Sequence, residues 1–259
     1  MHNLLIDQDL AEICQVKPLI LNLTNYVVMN FTANALLALG ASPIMAHAEP
    51  ELPDLIQLCQ AINLNIGTLD DNWLTSIHTT AKIANDYHVP LVFDPVGVGA
   101  SEYRTQNALK LLDSYRINIV RGNASEICAL AGINLHQVKG VDATIATEHA
   151  ITAAQTLSQC YKSCIVISGK TDYCVNDQQV LAINGGSSMM EKVTGMGCVS
   201  TSLVAAFASI QKDSLLAAMH AMTCMKKAGE IASQHAKGPG SFSMAFLDAL
   251  FSLTQGPLS

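Results

Sequence analysis

Short apolar or β-branched runs alternating with longer helix-compatible segments constrain this chain more than any other feature. The runs are Leu19–Leu23, Pro43–Ala46, Leu64–Gly67, Leu91–Asp94, Ile117–Arg121, Thr144–Ala146 and Ile165–Ser168. Between them lie the helical patterns Phe31–Leu39, Leu52–Ile62, Asp71–Tyr87, Thr105–Ser114, Ala124–Ala131 and His149–Tyr161. Parallel strands need a crossover of helix length, so this alternation predicts βαβ units and an α/β fold with a mainly parallel, doubly wound sheet. Tyr173–Asn176 and Val180–Ile183, separated by Asp177-Gln178-Gln179, predict an antiparallel hairpin near one edge. From Cys198 onward the pattern is almost wholly helical, as Cys198–Ile210, Ser214–Gln234 and Phe242–Leu253. No repeat, low-complexity tract or linker interrupts it, so residues 1–259 read as one domain.

Composition narrows the function classes. Half the residues are hydrophobic and only 14% are charged, which describes a well-packed protein with a weakly charged surface and hints at an oligomer. The formal net charge is −7 and the basic residues are scattered, so a nucleic-acid surface is not expected. The first residues, M-H-N-L-L-I-D-Q-D-L-A-E, lack the basic start and apolar run of a signal peptide, and no stretch has the length of a membrane span. A soluble, intracellular protein is therefore expected. The eight cysteines, at 14, 59, 128, 160, 164, 174, 198 and 224, include no C-x-x-C pair, which argues against a zinc site and against a disulfide framework.

The chemistry-bearing segments fall at predicted strand ends. V-T-G-M-G-C-V-S-T-S, at 193–202, is a glycine turn feeding a helix start. Free backbone N–H groups and the helix dipole there suit a phosphate, and the same end would lower the pKa of Cys198. D-P-V-G-V-G-A, at 94–100, places Asp94 beyond a strand end, where ligands sit in open parallel sheets. Asp94 can hold magnesium directly or through water, or simply cap a local turn. In R-G-N-A-S-E, at 121–126, Asn123 and Glu126 have the spacing of a capping box, while Arg121 can fork onto phosphate oxygens and Glu126 can share a magnesium ion. S-G-K at 168–170 resembles a nucleotide-contact edge, and the missing G-x-x-x-x-G-K-[ST] excludes a P-loop. Asn25 reads as a helix cap or as a partner for a heteroatom ring, and Met45 as a core residue or a polarisable wall; His47 reads as a packed or surface histidine.

Taken together, N-x-T-N-x-V-x-x-x-x-x-A-N-x-L-L-A-L-G-A-S-P-x-M, D-P-V-G-V-G-A, R-G-N-x-S-E-I and V-T-G-x-G-C resemble hydroxyethylthiazole kinases, thiamine-salvage enzymes of the ribokinase-like superfamily. The resemblance runs from Pro18 to the last helices. It implies a three-layer fold, a homotrimer with active sites at subunit interfaces, and a cytoplasmic location. It also implies transfer of the γ-phosphoryl of ATP to the primary alcohol of 4-methyl-5-(2-hydroxyethyl)thiazole. By motif, Asn25, Met45, Thr194 and Gly195 would bind the substrate, with Thr194 and Gly195 close to phosphate. Arg121, Asn123, Ser168 and Gly197 would bind ATP, and Asp94 and Glu126 would hold Mg2+. Cys198 falls where sugar kinases of the superfamily carry a catalytic aspartate, and would orient the alcohol and accept its proton late.

One position departs from the resemblance. The family commonly reads T-G-T-G-C, whereas Met196 stands at the middle threonine here. A lost hydroxyl contact with phosphate would remove about 0.5–1.5 kcal/mol net. Three readings compete with the thiazole kinase: a related kinase acting on a pyrimidine or vitamin B6 alcohol, a hydratase-like or non-catalytic protein of the same fold, and a thiol enzyme using Cys198. The last lacks a resolving cysteine close in sequence.

Overall fold

The computed structural model describes residues 2–133 and 143–256. The first strand, β1 (Leu19–Leu23), is followed by β2 (Ser42–Met45), β3 (Ala61–Asn65), β4 (Leu91–Asp94), β5 (Ile119–Asn123) and β6 (Cys164–Ser168), all parallel. The hairpin β7 (Asp172–Val175) and β8 (Val180–Ile183) adds two antiparallel strands to the β6 edge. The resulting eight-stranded sheet has the order β2-β1-β3-β4-β5-β6-β7-β8. Its central strands are buried at every residue from β3 to β4 because helices cover both faces.

Alternate strand residues divide the core into two clusters. Ile20, Ala61, Val92, Ile119 and Val166 point to one face. There they meet α1 (His2–Val16), α2 (Met29–Leu39), α8 (Met196–Ala208), α9 (Ser214–His235) and α10 (Pro239–Leu253). Leu21, Ile62, Leu91, Phe93, Val120 and Ile165 point to the other. That face carries α3 (Leu52–Leu58), α4 (Asp71–Tyr87), α5 (Glu102–Ser114), α6 (Ala124–Leu130) and α7 (Ala143–Tyr161). The period-2 alternation of a strand thus produces a helix–sheet–helix sandwich of three layers.

Several sequence expectations need correction. The helix expected over Leu52–Ile62 stops at Leu58, and the strand expected at Leu64–Gly67 begins at Ala61. Only Cys59 and Gln60 separate the two elements there, so periodicity alone places the boundary poorly. Thr144–Ala146, expected as a strand, lies inside α7, where β-branched residues are carried by a long helix that packs on α6 and β6. The strand expected at Ile117–Arg121 runs two residues later, to Asn123. The helix α1 was not anticipated, although Ile6, Leu10 and Ile13 form an apolar stripe at helical spacing and are buried in the core.

Candidate active site

The carboxyl ends of the parallel strands gather the candidate residues. Met45 ends β2 opposite Asn22 of β1, Asn65 ends β3 opposite Asp94 of β4, and Asn123 ends β5 opposite Ser168 of β6. Parallel register therefore pairs residues 23 (22 to 45), 29 (65 to 94) and 45 (123 to 168) positions apart. The α8 N-terminus descends onto this edge, and its first two turns carry Cys198, Thr201 and Ser202 at spacings that face the sheet.

Asp94 is buried, and its Oδ2 accepts hydrogen bonds from Nδ2 of Asn65 (2.9 Å) and Oγ1 of Thr201 (2.8 Å). Its Oδ1 has no hydrogen-bond partner among the described residues. Burial pushes the carboxyl up to about 6, against the pull of Arg121 and with the repulsion of Glu126. Next to it, Sγ of Cys198 accepts a hydrogen bond from Nδ2 of Asn25 at 3.3 Å, and the thiol lies within the electrostatic reach of the Asp94 carboxylate. Burial, and then the Asp94 charge, push the Cys198 thiol up to about 12. The expected lowering by the helix terminus is thus overturned: desolvation and a neighbouring carboxylate outweigh the half-charge of the dipole.

Asn123 and Glu126 form the capping box that their spacing indicates. Oδ1 of Asn123 accepts from the Glu126 N–H at 3.0 Å, and Oε2 of Glu126 accepts from the Asn123 N–H at 2.8 Å. The other oxygen, Oε1, accepts from the N–H of Gly97 (2.8 Å), so Glu126 also holds the loop after β4. Arg121 is buried, with Nη2 donating to the Ser168 hydroxyl and Nε left without a partner among the described residues. Arg121, Asn123, Ser168 and Gly197 all line one cavity of about 580 Å3. Asn123 and Glu126 also line a second cavity of about 380 Å3, over the loop after β4.

The glycine turn is dictated twice at Gly195. Its φ is +86°, and a Cβ there would stand 2.5 Å from Cγ1 of Val28. Thr194 beside it is exposed, while Met196 is 6% exposed and packs into the core while also lining the larger cavity. Met45 is half-buried at the edge of the sheet. Asn25 is buried, and Nδ2 donates to Oδ1 of Asn65 as well as to Cys198. The exposed Tyr26 ring stacks on His47 (centroids 5.6 Å apart) and meets Trp73 edge-on (5.5 Å).

Sequence reasoning missed three residues of this edge. Asn65 accepts from Asn25 and from the Gly67 N–H while donating to Asp94, so one amide sets the geometry of three groups. Arg104, on α5, donates to the carbonyls of Ile66, Gly67 and Val96, and so ties together the chain after β3 and after β4. Lys226, on α9, is buried against Asp172. Only Asn65 carried a signal: asparagines at 22, 63 and 65 are anomalous in strands that read as wholly buried.

The three-layer arrangement, with an acid at the end of a central strand and a glycine turn at a helix start above it, is a ribokinase-like fold. The architecture matches a ribokinase-like superfamily protein of Enterococcus faecalis V583 with a TM-score of 0.68 at 12% identity, over 96% of this chain and 95% of that one. More particularly, the chain belongs to the hydroxyethylthiazole kinase family, whose sequence profile matches residues 10–256. A hydroxyethylthiazole kinase of Syntrophus aciditrophicus is 46% identical over 238 residues, 92% of this chain and 88% of that protein. The structure of a hydroxyethylthiazole kinase from Pyrococcus horikoshii OT3 superposes with a TM-score of 0.88 at 37% identity, covering 96% of this chain and 93% of that one.

Proposed function

We propose that this chain, working as a single domain, transfers the γ-phosphoryl of ATP to the primary alcohol of 4-methyl-5-(2-hydroxyethyl)thiazole in thiamine salvage. Its family membership makes it a kinase. The observation that carries the assignment of the site is the hydrogen-bonded set Cys198–Asn25–Asn65–Asp94 beside a cavity lined by Arg121, Asn123, Ser168 and Gly197. Asn25 and Met45 line the thiazole subsite, with Thr194 and Gly195 at the approach of substrate to phosphate. The four cavity residues bind ATP, and Arg121 with the α8 amides neutralises the moving phosphoryl group.

The new bond joins the alcohol oxygen to the γ-phosphorus as the bond to the ADP oxygen breaks. The alcohol proton needs an acceptor. A thiol held up to about 12 is ionised at pH 7 only to the order of 1 part in 100,000. Cys198 therefore takes the proton on Sγ only as it passes its own to Asp94, a carboxyl raised to about 6 and so charged at neutral pH. This keeps Cys198 against the alcohol and makes Asp94 the final proton store, which requires that any metal contact of Asp94 run through water.

Mg2+ fits the acids. Oδ1 of Asp94 is a buried, unpartnered acceptor, and each Glu126 oxygen retains a lone pair beside its single N–H bond. Two carboxylates plus phosphate oxygens and water are what this ion takes. Asp94 would hold it through water and Glu126 directly or through water, and when bound it supplies charge neutralisation to the phosphates.

A homotrimer with active sites between subunits is supported by Tyr26 and Val27, exposed by 59% and 66% immediately beside Asn25. A cytoplasmic location is supported by eight cysteines that are all free thiols. No helix among the described residues is long and apolar enough to cross a membrane. The assignment is tested by a coupled ADP-release assay with the thiazole alcohol, ATP and Mg2+. Absence of turnover, or a preference for a pyrimidine alcohol, would sink it.

A further inference from the structure

Lys226 is 6% exposed in the middle of α9, in the wall of the larger cavity. Its ammonium has three protons and three acceptors: the Gly169 carbonyl at 2.7 Å, the Lys170 carbonyl at 3.1 Å and Oδ1 of Asp172 at 3.1 Å. Asp172 in turn accepts from the Gly169 N–H at 2.8 Å, so the turn joining β6 to β7 closes around the ammonium. Burial raises the Asp172 carboxyl, and Lys226 is the largest influence opposing that rise. That turn begins at Ser168, the residue that receives the Arg121 guanidinium.

The aliphatic stem of Lys226 touches a second wall. The chain leaving β8 crosses α9 at Gly185 and Gly186, both in the left-handed region with φ of +111° and +80°. A Cβ on Gly186 would stand 2.9 Å from Cδ of Lys226, and one on Gly185 would stand 3.6 Å from its Cβ. Both glycines line the same cavity as the Ser168–Asp172 turn, to which their segment is joined by the Thr171 hydroxyl donating to Oδ1 of Asn184 at 2.8 Å. One side chain thus contacts both segments between which the cavity opens.

We propose that Lys226 is a positioning residue for the nucleotide: its ammonium fixes the Gly169–Asp172 turn while its stem seats the Gly185–Gly186 strap. The separation of the two walls is then set before ATP arrives. This inference rests on the reading of the cavity as the ATP site. A residue acting in this way influences nucleotide affinity and leaves the alcohol subsite, on the far side of Cys198, untouched. Its effect belongs in the KM for ATP rather than in kcat.

The test uses the full chain with Lys226→Met and the double variant Lys226→Met/Asp172→Asn, which removes the carboxylate that the first substitution leaves buried and unpaired. Circular dichroism and thermal melting establish that each is folded. For the double variant the expected result is a rise of about tenfold in the KM for ATP, with kcat and the KM for the thiazole alcohol within about threefold of wild type. Hydrogen exchange at 169–172 and 185–188 should be faster than wild type without nucleotide. An unchanged ATP KM in the folded double variant would overturn the proposal, as would a fall in kcat alone. Exchange measured on the wild-type protein with a non-hydrolysable ATP analogue separates the two levels. Protection of both segments with an unaffected ATP KM in the variant removes only the role of Lys226. No protection of either segment removes the nucleotide assignment of the cavity and the proposal with it.

Discussion

The guanidinium of Arg121 lies against Gly197: a methyl group added to Gly197 would stand 2.7 Å from Nη1. The second residue of α8 therefore has no side chain because the end of β5 has a long one. Gly197→Ala is favourable for the helix itself, by up to about 1 kcal/mol. The substitution should leave the melting temperature level or higher. It displaces Arg121 from Ser168 and from the cavity, and should raise the KM for ATP about tenfold with a smaller effect on the KM for the alcohol. Steady-state kinetics with each substrate varied in turn checks this.

Asp94 trades stability for function. Its folded pKa, about 6, lies above the unfolded reference of 3.8. The carboxyl's contribution to stability is thus full below 3.8 and lost as the pH rises through about 6. Removing the charge should recover that loss, so Asp94→Asn is expected to stabilise the metal-free, nucleotide-free protein at pH 7.5 by up to about 3 kcal/mol. The advantage should shrink toward pH 4, as read by urea unfolding at the two pH values. The same variant should lose at least about a hundredfold in kcat. A less stable variant at pH 7.5 would contradict the buried-charge account.

Cys198 should be an unreactive thiol in spite of its helix terminus. Iodoacetamide at pH 8 is expected to modify the exposed Cys160 well before Cys198, as followed by peptide mass spectrometry. Cys198→Ala should lower kcat by about tenfold to a hundredfold by removing the proton relay. Full activity of that variant at saturating substrates would exclude the relay.

Met196 acts in packing. With 6% exposure and membership of the core that holds α8 and α9, its side chain is a core group. Restoring the family's usual threonine, Met196→Thr, should therefore destabilise the protein by about 2–4 kcal/mol through the cavity it leaves and the hydroxyl it buries. Turnover should gain little. Thermal unfolding beside ATP kinetics tests both halves, and a large gain in kcat with unchanged stability would show that the threonine hydroxyl serves the phosphate.

Much of the site was legible because its residues sit in short contiguous motifs. Asp94, Asn123 and Ser168 each end a strand whose apolar run is visible, Arg121 lies inside β5, and Asn123 with Glu126 announces a cap by spacing alone. Asn65, Arg104 and Lys226 were not legible. Each acts on groups far away in sequence, such as the 40 positions between Asn25 and Asn65 or the 57 between Gly169 and Lys226. The asparagines at 22, 63 and 65 stand out in buried strands but do not say what they hold, and a lysine inside a helix reads as solvated until its partner is known.

By itself, the amino-acid sequence determined the period of most elements, and so the parallel sheet and the strand ends at which chemistry collects. Periodicity and capping are local, and local physics is written in neighbouring residues. Only the tertiary structure decided the electrostatics. The glycine turn at Gly195 alone argues for an acidic thiol at Cys198, yet burial beside Asp94 makes that thiol hard to ionise. Desolvation depends on everything packed around a group, and that sum exists only once the chain has folded.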